Sequence, residues 1–290
     1  MSRPPPLPSI SVLTPSLNQA PFLEEALLSV LGQAYPDLEY RVLDGGSTDG
    51  SLEIIRRYQG RLAGWRSRPD GGQAAALAEG FAESRGEVLA YLNSDDAYLP
   101  GALRAAGEAF AADPDLDLVY GDIVFVDAQG RPLAIDVLPT FSWEDLRRVC
   151  VIPQQAAFWR RRAYEGVGGI DPDFHFCMDY DLFLRIAEAG RVRHLPRLMA
   201  RFRWHAAAKS SVAKATWDAE NLLLQRRYLG RAGWSRTDWL RMKWLTARQL
   251  GAIAGRTLQG ERFPCWTPAR WQRLARRKLR EGLGTGPVAV

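Results

Sequence analysis

From residue 9 to about residue 127, short β-rich runs alternate with stretches of helical composition. The runs SISVLTP, LEYRVLD, AGWRS, EVLAYLN and LDLVYGDIVFVD have the aliphatic and β-branched content of strands. Between them PFLEEALLSVLGQ opens on a proline suited to a first helical turn, and QAAALAEGFAES and PGALRAAGEAFAAD are helical in composition. This alternation predicts an α/β fold with a mainly parallel central sheet covered by helices. In such a sheet ligands bind outside the carboxyl ends of the strands. Polar residues collect there: Asn18 after the first run, Asp44 after the second, and Asn93 to Asp96 after the fourth.

Beyond Asp127 the alternation breaks. AQGRP reads as a hairpin turn, FSWEDLRRV as a short helix, and MDYDLFLRIAEAG as a helix ending on Gly190, before two short strands near VRHL and LMARFRW. From about residue 212 the chain reads helical and basic, with RTDWLRMKWLTARQL and PARWQRLARRKLREG as its clearest helices. The expected organisation is a catalytic domain over 1–211 and a basic, Trp-rich helical extension over 212–290.

Composition narrows the class. With 290 residues, 47% hydrophobic and 24% charged, the chain has the material for an ordinary globular core. The opening MSRPPPLPSI lacks the apolar run of a secretion signal, and no segment approaches the roughly 20 apolar residues of a spanning helix, so a cytoplasmic location is expected. Cys150, Cys177 and Cys265 form no C-x-x-C pair and are expected to be core thiols. The net charge of +5 conceals a division: residues 201–290 hold 19 Lys+Arg against 5 Asp+Glu and seven of the ten tryptophans. An acidic body is thus joined to a basic tail suited to an anionic partner, such as a membrane surface; the other reading is a tail packed on the body by its tryptophans. No RNA-binding signature accompanies the arginines, and nucleic acid is not expected as a partner.

Two segments carry candidate chemistry. LNSDDAYLPGAL places Asn93, Ser94, Asp95 and Asp96 between an apolar strand and a helix, where carboxylates are hard ligands for Mg²⁺ or Mn²⁺ and are equally common as helix caps. RVLDGGSTDGS places Asp44 at a strand end, where a carboxylate can accept a hydrogen bond from a base or simply open a turn. The G-x-G-x-x-G of a nicotinamide-dependent dehydrogenase is missing after the first strand. So is the Gly-rich, basic triphosphate loop of a sugar-1-phosphate nucleotidyltransferase.

TPSLNQAPFLEEALLSVLGQAYPDLEYRVLDGGSTDGS, SRPDGGQAAALAEGF, ESRGEVLAYLNSDDAYLPGAL, MDYDLFLRIAEAG and RWHAAAKS follow one another over roughly residues 8–212. In order and spacing they resemble the family-2 glycosyltransferases of bacterial polysaccharide and glycolipid synthesis. That resemblance implies a GT-A fold, a nucleotide diphosphate sugar donor (UDP- or dTDP-linked favoured), a glycan or lipid-linked acceptor, a Mn²⁺ or Mg²⁺ cofactor, and inversion at the anomeric carbon. It implies that Pro15, Ser16 and Asn18 line the nucleotide and that Asp44 contacts the base. Asn93, Ser94 and Asp95 then correspond to the D-x-D motif, with Asp95 on the metal. Asp179 matches the catalytic base, and His205 a histidine facing metal and diphosphate. Asn93 stands where the first Asp is commoner, Gly45 where many relatives carry a second Asp, Met178 where many carry Glu, and Ala78 where Asn is frequent. A non-catalytic glycan-binding or scaffold module of the same fold is the rival reading; loss of Asp95 or Asp179 would mark it, and both are present.

Physical chemistry agrees with the role implied for Asp179. Displacement at an anomeric carbon needs a base for the acceptor hydroxyl while positive charge develops on the sugar, and a carboxylate serves both needs. Asp181 points about 200° away round the helix and is expected to pair with Arg185, four residues on. Lys209 and Ser210 offer further donors near His205, whereas His175 and His194 are assigned to structure.

Overall fold

The computed structural model describes residues 5–137, 140–206, 208, 209 and 214–258. Its first half is the alternation read above: β1 (Ile10–Ser16), α1 (Ala20–Leu31), β2 (Leu38–Asp44), α2 (Ser51–Tyr58), β3 (Gly64–Ser67), α3 (Gln73–Glu83) and β4 (Val88–Tyr91). There follow β5 (Ala97–Tyr98), α4 (Ala102–Ala112), β6 (Leu116–Val126), β7 (Pro132–Asp136), α5 (Trp143–Leu146), β8 (Ala157–Arg160), α6 (Arg161–Gly166), α7 (Met178–Ala189) and β9 (Arg191–Arg203). Two helices of the basic segment, α8 (Lys214–Leu229) and α9 (Arg236–Leu258), complete the described chain. The predicted helix PARWQRLARRKLREG and Cys265 lie outside the described residues.

The strands form one sheet in the order β3-β2-β1-β4-β8-β6-β9-β5, with β7 paired to β6. From β3 to β4 every pairing is parallel, as is β6 with β9. The short β8, which the sequence pattern did not reveal, runs antiparallel between β4 and β6. Strand alternation divides the core between the two faces. Val88, Ala90 and Leu92 face one cluster with Leu23, Leu27 and Phe110, while Leu89 and Tyr91 face another with Leu77, Phe81 and Phe183. The register aligns Ser16 with Asp44 and Asp44 with Ser67, so the polar strand ends converge on one edge.

Two expectations are corrected. The two short strands near VRHL and LMARFRW are one 13-residue strand, β9. The ladder to β6 passes from Gly121↔Leu195 to Asp122↔Leu198, leaving Pro196, which lacks an N–H, and Arg197 in a bulge. Glycine at 121 is required there, because a Cβ would stand 2.3 Å from Met199 Sδ and 2.9 Å from the Arg197 carbonyl oxygen. Of the cysteines, Cys177 is buried as expected, but Cys150 is exposed at the end of the segment after α5.

In sequence the tail is open to two readings, packing on the body or meeting an anionic partner. The described helices dock on the body with Trp217, Trp234 and Trp244 exposed and Trp239 partly buried. Opposite charges meet at the docked faces. Arg227 pairs with the buried Asp181 at 2.9 Å, Arg148 with Asp238 at 2.7 Å, Arg241 with Asp145 and Arg256 with Asp122. Leu224 anchors α8 in the core and Ile253 anchors α9 against β6 and β7. Three buried carboxylates of the body are thereby paired with arginines of the tail.

Leu224 is 1% exposed. Leu224→Ala is expected to cost about 2–5 kcal/mol and lower the melting temperature by several degrees; an unchanged denaturation curve would contradict the docking of α8.

Candidate active site

The ends of β1 and β2 are joined by their following loops. The Asn18 N–H donates to Ser47 Oγ at 2.7 Å, the Thr48 N–H to Asn18 Oδ1 at 2.9 Å, and the Ala20 N–H to Asp49 Oδ2 at 2.9 Å. Asn18 takes a left-handed conformation (φ 53°) to do this, one that asparagine tolerates better than most residues. Pro15 and Ser16 are buried just before it, and Ser16 Oγ has no hydrogen-bond partner among the described residues. Asp44 is fully buried. Its carboxylate accepts hydrogen bonds from the N–H groups of Gly46 and Ser47 and the hydroxyls of Ser47 and Ser67. Its observed work is to shape the GGST loop.

The NSDD segment after β4 meets the end of β9. Asp95 Oδ2 lies 3.0 Å from His205 Nε2, and the His205 ring packs against Phe22 with centroids 4.6 Å apart. Asp96 is buried, accepts the Arg203 N–H at 2.9 Å, and leaves Oδ2 without a hydrogen bond. Burial, then the neighbouring Asp95, pushes the Asp96 carboxyl well above the usual carboxylate range. The Arg203 guanidinium is buried beneath the segment. It donates to the carbonyls of Asp95 (2.9 Å), Asp127 (3.2 Å) and Ala128 (3.1 Å) and to Glu25, and lies over the Phe22 ring.

Could these residues hold a divalent cation? Asp95 offers a hard oxygen and His205 an imidazole nitrogen converging on one point. Among the described residues no group of three or more His, Cys, Asp or Glu surrounds a metal position. A two-ligand site fits an ion whose remaining positions are filled by substrate phosphates and water, the usual manner of Mg²⁺.

Asp179 stands in the first turn of α7, partly buried, with Oδ1 accepting the Tyr180 N–H at 2.7 Å. Burial pushes its carboxyl up to about 6, against the opposing pull of backbone N–H groups and the Lys209 ammonium. Lys209 donates to Gln73 Oε1 at 2.8 Å and to the His175 carbonyl, and lies over the Phe176 ring. Gln73 in turn donates to Asn93 Oδ1 (2.7 Å), Asn93 to Gln154 Oε1 (3.3 Å), and Gln154 to the Tyr91 carbonyl (2.6 Å). A continuous polar chain therefore connects the NSDD segment, with Ser94 buried inside it, to the ammonium beside Asp179.

Asp181 is fully buried and paired with Arg185 at 2.6 Å, as expected, and also with Arg227. His194 lies 2.7 Å from Asp122 and stacks on Tyr120, a structural place. Ser210 lies outside the described residues. Sequence reasoning missed Gln73, Gln154 and Arg203, whose partners are 20 to 178 residues away in the chain.

The family model described as "Glycosyl transferase family 2" matches residues 11–158. The chain is similar to an O-antigen biosynthesis protein of Myxococcus xanthus, 34% identical over 210 residues; the match covers 70% of this chain and 16% of that protein's length. Among solved structures it is similar to S. aureus TarS in complex with UDP (TM-score 0.59, 17% identity, 79% of this chain and 68% of that one). It is also similar to a mannosyltransferase from Pyrobaculum calidifontis in complex with GDP-Man and Mn²⁺ (TM-score 0.58, 21% identity, 96% of this chain and 81% of that one). These likenesses show the GT-A fold.

In a carbon-13 NMR titration the Asp179 carboxyl should have its midpoint near pH 6. Lys209→Met should move it higher, because a cation that favours the charged form is lost. A midpoint near the ordinary value of about 3.9 would contradict this description of the site.

Proposed function

The chain belongs to glycosyl transferase family 2, and on that premise we propose that it transfers a glycosyl group, with inversion, from a nucleotide diphosphate sugar to an acceptor hydroxyl. The observation that carries the reading is the placement of Asp179, whose proton affinity suits a base near neutral pH, at the end of a polar chain that begins at the NSDD segment. In this reading the nucleotide lies along Pro15, Ser16 and Asn18, on the loop that Asp44 shapes, with the ribose near Asn93 and Ser94. The acceptor oxygen attacks the anomeric carbon as the bond to the diphosphate oxygen breaks, and the hydroxyl proton passes to Asp179.

Asp95 and His205 would hold a Mn²⁺ or Mg²⁺ ion. Such an ion, when bound, neutralises the charge of the leaving diphosphate. The solved relatives noted above hold UDP in one case and GDP-Man with Mn²⁺ in the other; for this chain UDP- or dTDP-linked donors are proposed. A role in polysaccharide or glycolipid assembly follows the O-antigen relative. Residues 1–211 would carry the transfer chemistry, with 212–290 as an extension.

Two substitutions separate binding from chemistry. Asp95→Ala should abolish metal-dependent affinity for UDP in calorimetric titration with Mn²⁺. Asp179→Asn should preserve that affinity and lower turnover by at least about 10²-fold, since an amide cannot take the proton. In the wild type kcat/KM should fall as pH drops below about 6 and Asp179 is protonated. Near wild-type turnover by Asp179→Asn would place the base elsewhere.

We also propose that the extension meets an anionic membrane carrying a lipid-linked acceptor. Among the described residues no helix is long and apolar enough to cross a membrane. On α9, however, Leu240 and Trp244 lie on one exposed stripe beginning at Arg236, with Trp234 nearby. Basic residues at such a surface contribute about 1 kcal/mol each. Removing residues 231–290 should therefore weaken co-sedimentation with anionic vesicles at low salt more than it weakens UDP binding. Absence of vesicle binding by the full chain at low salt would end this part of the proposal.

A further inference from the structure

The helix that carries Asp179 is not held by its own sequence. The residue before α7 is Cys177, which makes no side-chain capping bond, where Ser, Thr, Asp or Asn would ordinarily stand. The missing acceptor comes from 43 residues further on: Glu220 of α8, buried at 6% exposure. Its Oε1 accepts the His175 N–H at 2.9 Å, and its Oε2 accepts the N–H groups of Phe176 and Cys177 at 2.8 Å each. Three bonds from consecutive amides to one carboxylate fix the path of the backbone entering α7. Such charge-assisted bonds are about twice as strong as neutral ones, and a buried carboxylate demands them. One and two turns further along α8, Leu224 enters the core and Arg227 pairs with Asp181 at 2.9 Å, so α8 grips the start of α7 at two places.

We infer that Glu220 is a positioning residue for Asp179, and hence that α8, although part of the extension, belongs to the catalytic apparatus. The reason is geometric. Asp179 lies two residues beyond the last amide that Glu220 holds, and displacing a catalytic group by about 1 Å can cost on the order of 10²-fold in rate. The same carboxylate bears on Asp179 electrostatically, raising its proton affinity, while Lys209 lowers it. The other titratable groups facing Asp179 are Cys177 and Tyr91, whose proton affinity burial raises, and the Cys150 thiol, whose proton affinity is also raised, so that all three are neutral near pH 7. Glu220 is thus the anion whose removal Asp179 should register.

This inference rests on Asp179 being the base, and its test keeps the two apart. In the full-length chain Glu220→Gln retains one acceptor oxygen and loses the charge. Expected are faster hydrogen exchange at the amides of 175–177, a lower Asp179 titration midpoint and acid limb of kcat, and a fall in kcat of roughly 10- to 100-fold. Affinity for UDP with Mn²⁺ should be unchanged. If Asp179→Asn is inactive while Glu220→Gln keeps wild-type kcat and midpoint, the positioning role is wrong and the base stands. Equal losses of kcat and UDP affinity would mean a merely structural role and overturn it as well. If Asp179→Asn is fully active, the base assignment and this inference fall together. Should Glu220→Gln not fold, Arg227→Met, which releases the other end of the grip and leaves the Glu220 charge in place, tests the grip alone: faster exchange at 175–177 and a lower kcat with unchanged UDP affinity are expected, and wild-type kcat would overturn the positioning role.

Discussion

A buried guanidinium must have its donors satisfied, and the site is arranged around one that is. Arg203, 3% exposed, ends β9 and donates to the carbonyls of Asp95, Asp127 and Ala128 and to the carboxylate of Glu25. These partners come from the NSDD segment, the β6–β7 turn and α1. A cation buried with fewer partners would destabilise the fold by several kcal/mol, so the three segments are obliged to meet where they do. Its backbone N–H also takes one oxygen of Asp96, and two residues on His205 reaches Asp95. The position of the candidate metal ligand is therefore a consequence of how one arginine is accommodated.

The division of charge along the chain has a comparable explanation. An acidic body and a basic tail could have signified only an external anionic partner. In the structure Asp122, Asp145 and Asp181, all buried, face Arg256, Arg241 and Arg227 of the tail helices. Burying a lone carboxylate is costly enough that each needs such a counter-ion. Among the described residues of the tail, Leu223, Leu240 and Trp244 are large apolar side chains left exposed. Opposite charges meet where the helices dock, and these outward apolar side chains are left for another partner.

Much of the fold was legible in sequence because it depends on local period. β2 is the predicted LEYRVLD, and α3 begins at the predicted Gln73. The strand ends named from the sequence converge, Asn18 binding the loop that follows Asp44. Asp179 lies in the first turn of a helix and Asp181 pairs with Arg185, as helical geometry requires. What escaped was nonlocal or exceptional. The single strand β9 was read as two; Pro196 lies in its bulge without breaking the ladder. Glu220 and Gln154 were passed over because nothing in their neighbourhoods marks them; their roles arise from partners more than 40 residues distant. Trp234 and Trp244, packing anchors in one of the two readings of the tail, are exposed.

The central claim is direct displacement at the anomeric carbon with Asp179 receiving the proton, and the stereochemistry of the product bears on it most directly. Proton NMR of the product formed from an α-linked nucleotide sugar, recorded before any anomeric exchange, distinguishes the outcomes through the coupling of the anomeric proton. The account predicts a β-linked product, inverted relative to the donor. An α-linked product would require a second displacement through a covalent or ion-paired intermediate and would contradict it.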